Sequence, residues 1–482
     1  MKRLFVLALS LAFLALSLGP AQAIEFRVKG DWQMGVNAVK NPTLERDDQV
    51  DQFEGISRLR TTFEFTASEN LRGVVRLTTD DVRWGQEDGG QGDNLQLYYD
   101  HAYLDFYIPN TRANLKVGKQ TFTLPNTLGS HIMDTETWGV LLNTPLTEQA
   151  GLTLGWVRPW HLYSGGIDTT GDGSADSRSK TEIDMFLGVL PLDMPGIQLN
   201  PFGMYVMEGK YSHTVDGDGT TDLDLSTDPP SFPDDNAHLY TSRDGYFVGL
   251  NATVDHFDPI EIMFDFNYGG IGEYYSLPEE GESKLGKTSG WISSLAVAYH
   301  MDSMTPMAFF LYESGESSSS ASPDKTGRRM PIITFDGFNQ IMFDLKFSSF
   351  GFGGSQLRGI GRHALSVDEL TWLNGPSGKM AAGIKLQDIS LVDKLTHDFL
   401  VAYYRGTNHR DLRDDPPRDF FYLTTKDSIW EVNLDTQYQV YKNLTAILEL
   451  GYLDLRGIDK RDGERVTENY ALKAAAGLRY MF

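Results

Sequence analysis

The sequence predicts an all-β fold, a single closed antiparallel transmembrane β-barrel of about 18 strands, with 16 as the alternative. Three observations predict it. Apolar and polar residues alternate with period two along most of the chain. Short and long connections alternate between those segments. After residue 23, no apolar stretch is long enough to cross a membrane as a helix.

The chain opens with Met1, Lys2 and Arg3, an apolar run from Leu4 to Leu18, and the small-residue stretch Ala21-Gln22-Ala23. The run falls short of the ~20 residues of a membrane-spanning helix and reads as a secretory signal peptide, 1–23. Residues 24–482 are then the barrel domain. Its first strand shows the pattern: Ile24, Phe26, Val28, Trp32, Met34 and Val36 alternate with Glu25, Arg27, Lys29, Asp31, Gln33 and Asn37. Similar segments are expected near 58–65, 71–80, 101–108, 113–121, 138–144, 150–158, 181–190, 197–207, 245–254 and 260–268. Others follow near 291–300, 305–313, 379–388, 397–405, 428–441, 444–454 and 468–482.

Tight turns at Ser68-Glu69-Asn70, Pro109 to Arg112, Asp255 to Pro259, Asp302 to Met304 and Lys442-Asn443 are interleaved with long polar loops. The long loops are 40–55, 85–94, 122–137, 161–180, 213–243, 271–288, 314–378, 407–427 and 457–467. Short periplasmic turns on one rim and long extracellular loops on the other are the barrel signature. The count of 18 requires 314–378 to be one loop. Pairing Ala67 with Leu71 sets Phe63 against Val75 and Thr62 against Arg76, apolar on apolar and polar on polar. Pairing Val440 with Leu444 likewise sets Tyr438 against Ala446 and Leu434 against Leu450.

The last segment alternates strictly, with Tyr470, Leu472, Ala474, Ala476, Leu478, Tyr480 and Phe482 on one face. Lipid offers a strand edge no hydrogen bond, so this strand is expected to close on the first. Tyr480 and Phe482 suit an interfacial aromatic girdle. Leu478, Tyr480 and Phe482 also resemble the terminal signal read by the barrel-insertion machinery.

Composition excludes several classes. There are no cysteines, hence no disulfide and no thiolate metal site. Without Lys2 and Arg3 the 42 basic residues become 40 against 66 acidic, a formal charge of −26, which disfavours nucleic acid. The 10 histidines form no HExxH pair, and neither a GxSxG elbow nor a P-loop occurs, so no enzyme is expected.

The stretches KVGKQTFTLPN (116–126), GSHIMDTETWGVLLN (129–143), LTLGWVRPW (152–160) and HDFLVAYYRGTN (397–408) resemble the outer-membrane homotrimeric porins of sulfate-reducing, Desulfovibrio-like bacteria. The resemblance is poorest between about 213 and 378. It implies a trimer of barrels in the outer membrane, each with its own water-filled pore, in contact with lipid and lipopolysaccharide.

The polar face is where selectivity is expected. Arg58, Arg60, Arg72, Arg76, Arg27, Lys29 and Lys116 fall on it, because a guanidinium facing lipid near mid-depth costs ~2–4 kcal/mol. Folding of the third long loop into the barrel would set Asp134 and Glu136 opposite Arg58, Arg60 and Arg76 as a charged constriction. The alternative is solvated arginines paired with Asp80 and Glu64.

Two further loops carry a calcium-like pattern. Asp168, Thr170, Asp172 and Asp176 surround Gly173, and Asp216, Asp218 and Asp222 surround Gly219, at oxygen-ligand spacing. Ser179 and Leu225 stand where a calcium loop has its glutamate, and residues 213–242 hold seven Asp with no Lys or Arg. Ca²⁺ is therefore a candidate ligand of these loops, and an acidic solvated loop is the alternative. No cofactor is required. The expected function is passive diffusion of small hydrophilic solutes and ions. The alternatives are a solute-selective, anion-drawing channel and a barrel that anchors calcium-binding loops.

Overall fold

The computed structural model describes residues 24–40, 52–79, 82–84, 97–128, 132–161, 182–208, 211–214, 237–240, 243–272, 274–277, 283–285, 287–319, 326–331, 378–410, 423–457 and 470–482. Among these residues, eighteen long strands form one closed sheet. They are β1 Glu25–Lys40, β2 Gln52–Ser68, β3 Leu71–Thr79, β4 Leu97–Tyr107, β5 Asn114–Thr123, β6 Asp134–Pro145, β7 Gly151–His161, β8 Glu182–Val189 and β9 Ile197–Glu208. The second half contributes β10 Arg243–Phe257, β11 Ile260–Ile271, β12 Thr288–Tyr299, β13 Thr305–Glu313, β14 Lys379–Val392, β15 Leu395–Gly406, β16 Ser428–Tyr441, β17 Leu444–Arg456 and β18 Tyr470–Met481.

Each strand pairs antiparallel with its sequence neighbours, and β1 pairs with both β2 and β18. Closure pairs the first strand with the last, as a lipid-embedded sheet requires. The ladder is completed by Phe482, which exchanges backbone hydrogen bonds with Gly30 at 2.8 and 3.2 Å. Its ring lies over Gly30, where a Cβ would stand 2.1 Å from it, and packs edge-on to Trp32 at 5.2 Å. Gly30 is needed for that approach.

Both predicted hairpin registers hold away from the turns. Phe63 pairs with Val75, Thr62 with Arg76, Tyr438 with Ala446 and Leu434 with Leu450. The residues beside the turns are corrected by one position. Ser68, not Ala67, meets Leu71, and Tyr441, not Val440, meets Leu444, because a bulge precedes each turn.

Burial is inverted relative to a soluble protein. Phe26, Leu104, Leu154, Phe186, Leu295, Phe310, Ile384 and Leu450 are exposed on the outer wall, while Arg58, Asp265, Glu431, Glu449 and Lys473 are buried inside. Exposed Tyr107, Phe257, Tyr299, Tyr438 and Tyr480 lie toward the short-turn ends of their strands, and Tyr205, Tyr246, Trp291, Trp430 and Tyr452 toward the long-loop ends. Two aromatic girdles flanking an apolar band mark a membrane-spanning barrel.

One hairpin departs from the wall. The β5–β6 ladder runs up to Thr123–Asp134, but β4–β5 pairing stops at Ala102–Lys119 and β6–β7 pairing at Trp138–Arg158. Among the described residues, 120–128 and 132–137 have no strand partner outside this hairpin. Phe122, Leu124, Leu128, Ile132 and Met133 are buried in one cluster with Met185, Met204, Phe247, Ile292 and Leu311 of β8, β9, β10, β12 and β13. The hairpin therefore folds inward and lays one apolar face on that inner wall. Asp134 and Glu136, expected in a loop, belong to β6.

The bend starts at Gly118, with φ +133°. A Cβ there would stand 2.2 Å from the Ala102 carbonyl oxygen. Gly118→Val combines that clash with a backbone conformation costing an L-residue of order 1–3 kcal/mol. The expected result is a lower urea midpoint of the heat-modifiable barrel, and an unchanged midpoint would refute the hinge assignment.

Candidate functional site: the charged lumen

The tip of the inward hairpin is tied to the opposite wall by a buried polar network. Asp265 on β11 accepts hydrogen bonds from the Thr127 backbone N–H at 2.7 Å, Asn251 Nδ2 at 2.8 Å and Ser294 Oγ at 2.8 Å. Asn251 also donates to Thr127 Oγ1 at 2.9 Å. Asp265 of β11, with Asn251 of β10 and Ser294 of β12, holds Thr127 from the wall. Sequence reasoning missed Asp265, which is one aspartate within an otherwise ordinary alternating strand.

The hairpin's other face looks back at β3 and β4. Arg76 forms ion pairs with Glu136 and, at 3.1 Å, with Asp100. Arg60 reaches the same Asp100 oxygen at 3.3 Å, and His101 Nε2 lies 2.9 Å from Thr121 Oγ1. Of the predicted constriction, then, Arg60, Arg76 and Glu136 are joined in one cluster. Arg58 lies buried on β2, two residues nearer the long-loop rim than Arg60 and paired in register with Gln33. Asp134 pairs its backbone with Thr123 at the top of β6.

Asp100 was not foreseen. On β4, His101 is the register partner of Arg76 and Tyr99 that of Leu77, so Asp100 is the extra residue of a bulge. A bulge re-aims a side chain without disturbing the local alternation enough to be read from sequence. The neighbouring cations are paired as well. Arg72 binds Asp105 at 2.6 Å, Arg479 binds Asp31 at 2.8 Å, and Lys29 binds Glu64 at 2.6 Å. Lys116 lies opposite Asp105 in the ladder.

Strands β14 to β18 present an acidic wall. Asp398, Asp435 and Glu449 are successive register partners on β15, β16 and β17. Lys385 pairs with Asp398 at 3.4 Å and Lys473 with Glu449 at 3.2 Å. Asp435 stands between them, 7% exposed, with no hydrogen-bond partner for Oδ1. Above it Glu431 accepts from Tyr404 at 2.6 Å and Asn433 at 2.7 Å.

A buried carboxylate flanked by two others is costly, so Asp435→Asn should stabilise the barrel by roughly 1–3 kcal/mol. The temperature at which the folded band is lost on a gel checks this. A decrease would show that Asp435 is held by compensating contacts.

Leu478, Tyr480 and Phe482 occupy the seam, opposite Met34, Trp32 and Gly30. The Tyr480 ring lies 6.1 Å from Trp32 and 5.3 Å from Phe482. The calcium-like residues Asp168, Thr170, Asp172, Asp176, Asp216, Asp218 and Asp222 lie outside the described residues, as do residues 1–23 and Asp80. Among the described residues, no group of three or more acidic or histidine side chains could hold a metal ion.

No protein-family model matches the chain, and no curated protein matches it. Solved structures similar in overall chain course include OccK8 (OprE) of Pseudomonas aeruginosa, 10% identical, covering 95% of this chain and 98% of that one at a TM-score of 0.48. OccAB1 of Acinetobacter baumannii is 8% identical over 96% and 99% of the two chains, with a TM-score of 0.48. The outer membrane protein OprD of P. aeruginosa is 12% identical over 96% of each, with a TM-score of 0.47. At these values nothing about the chemistry of this chain rests on the likeness.

Proposed function

We propose that this protein is an outer-membrane channel through which small hydrophilic solutes and ions diffuse. The observation that carries the reading is the inward hairpin. It leaves the apolar-coated wall, crosses the lumen and brings Glu136 to Arg76. A fixed element that narrows a charged lumen selects by size and field. The balanced Arg60–Arg76–Asp100–Glu136 cluster and the Asp398–Asp435–Glu449 row line the lumen with fixed charges of both signs.

Current through planar bilayers under a salt gradient tests the proposal. Stepwise conductance is expected, with a reversal potential that reports which wall dominates. Silence from folded, heat-modifiable protein would overturn it in favour of a barrel that anchors its outer loops. The charged walls also favour a second reading, in which a solute carrying both signs binds in passage. Saturable conductance would distinguish that channel from an unselective one.

The rest of the reading follows from the same proposal. Residues 1–23 direct export, and Leu478, Tyr480 and Phe482 engage the barrel-insertion machinery. The Asp168–Asp176 and Asp216–Asp222 loops bind Ca²⁺ and face lipopolysaccharide. The assembly is a homotrimer, as the resemblance to porins of sulfate-reducing bacteria implies.

A further inference from the structure

Folding the hairpin inward leaves a breach in the wall. Above Ala102–Lys119, β4 has no strand partner on its β5 side among the described residues, and above Trp138–Arg158 neither does β7 on its β6 side. The breach begins within the apolar band. Lys119 is five residues above the foot of β5 and Arg158 seven above the foot of β7. With a rise of ~3.4 Å per residue and a tilt near ~40°, those are heights of roughly 13 and 18 Å in a band about 25 Å tall.

The outer surface around the breach is also unlike the rest. Val157, Ile183 and Met185 are buried inside, which turns Arg158 and Asp184 outward. The two form a bidentate pair at 2.6 and 2.8 Å, and Asp184 also accepts from Trp156 Nε1 at 2.8 Å. The Arg158 guanidinium lies 5.2 Å from the Trp156 ring centroid. Lys119 donates to the Tyr99 carbonyl at 3.0 Å, across the breach. Exposed Tyr99 and Trp138 meet over it at 6.4 Å, beside exposed Leu104 and Leu154.

Hydrocarbon can satisfy neither an unpaired strand edge nor an outward ion pair. Both need a cover other than hydrocarbon. We infer that the outer wall of β4 to β8 is the self-association face of this protein, covered by a second copy. The inference rests on the outer-membrane reading above and adds the face to it. The defect is permanent and present in every copy, so its cover must be equally abundant, and a closed ring of identical chains meets that condition by construction. Aromatic side chains around an arginine are the composition of an interface core.

The absence of native cysteine makes the test direct. Leu104→Cys and Leu154→Cys lie on the proposed face, while Phe310→Cys and Leu450→Cys lie on the outer wall of β13 and β17, away from it. In native membranes a lipophilic maleimide should label the second pair and not the first. Protection should be lost when the protein is dispersed as detergent monomers, and the mass of the undispersed protein should be a multiple of one chain. Arg158→Ala with Asp184→Ala should dissociate it while keeping single-channel current.

Equal labelling of all four positions would overturn the inference. So would protection in a species with the mass of one chain, which would mean lipopolysaccharide covers the face. Should the double variant fail to fold, the labelling and mass measurements decide alone. Loss of conductance in correctly assembled protein would count against the channel and not against this face.

Discussion

Asp265→Ala releases the inward hairpin. The carboxylate is fully buried and receives hydrogen bonds from the Thr127 N–H, Asn251 and Ser294, so its removal takes an acceptor from all three and leaves Asn251 Nδ2 with Thr127 Oγ1. A buried donor left without its acceptor costs about 1–3 kcal/mol. That cost falls on the tip of the hairpin, which has no strand partner outside itself, and not on the eighteen-strand ladder. Local opening is therefore expected at a denaturant concentration that leaves the barrel folded. Single channels should show larger and noisier currents, with little change in heat modifiability. Asp265→Asn keeps one acceptor oxygen and should fall between. Quiet currents of unchanged size from Asp265→Ala would mean that the apolar face around Phe122, Leu128 and Met133 holds the hairpin unaided.

The second large effect is a reversal of sign between two neutralising substitutions. Arg60, Arg76, Asp100 and Glu136 carry two positive and two negative charges, so the cluster is balanced. Glu136→Gln leaves it positive and should move the reversal potential toward anions. Arg76→Gln leaves it negative and should move it toward cations. A unit charge ~5 Å from the ion path at a water-like dielectric of ~80 is worth about 0.8 kcal/mol, roughly fourfold in local ion concentration. The shifts should shrink above about 1 M salt, where the screening length falls to ~3 Å. Shifts of the same sign from both substitutions would place the ion path elsewhere, along the Asp398, Asp435 and Glu449 wall.

The barrel was legible in the sequence because its rules are local. A strand with lipid on one side must alternate, so segments such as 444–454 and 468–482 declare themselves within a dozen residues. Tight turns fix register, which is why Phe63–Val75 and Leu434–Leu450 are readable from the sequence. The slips at Ser68 and Tyr441 are bulges. An extra residue beside a turn leaves the periodicity on either side intact and is invisible to it.

The site was legible in part. Arg60, Arg76 and Glu136 could be named because cations do not face lipid and a long loop after β5 suggested an inward fold. Asp100 could not, since only the bulge opposite Arg76 turns it toward the two arginines. Nor could the Asp398–Asp435–Glu449 row, whose members are 37 and 14 residues apart in the chain and become neighbours only through the β15–β16–β17 register.

By itself the sequence determined the two faces of each strand and the alternation of short turns with long loops and narrowed the strand count to 18 or 16, all from side-chain periodicity against an apolar solvent. The tertiary structure alone decided that Phe482 closes on Gly30, that the 120–137 hairpin leaves the wall and docks on Asp265, and that Asp100 bridges Arg60 and Arg76. Those contacts join residues far apart in the chain. Their geometry depends on where each ladder stops, which no single strand encodes.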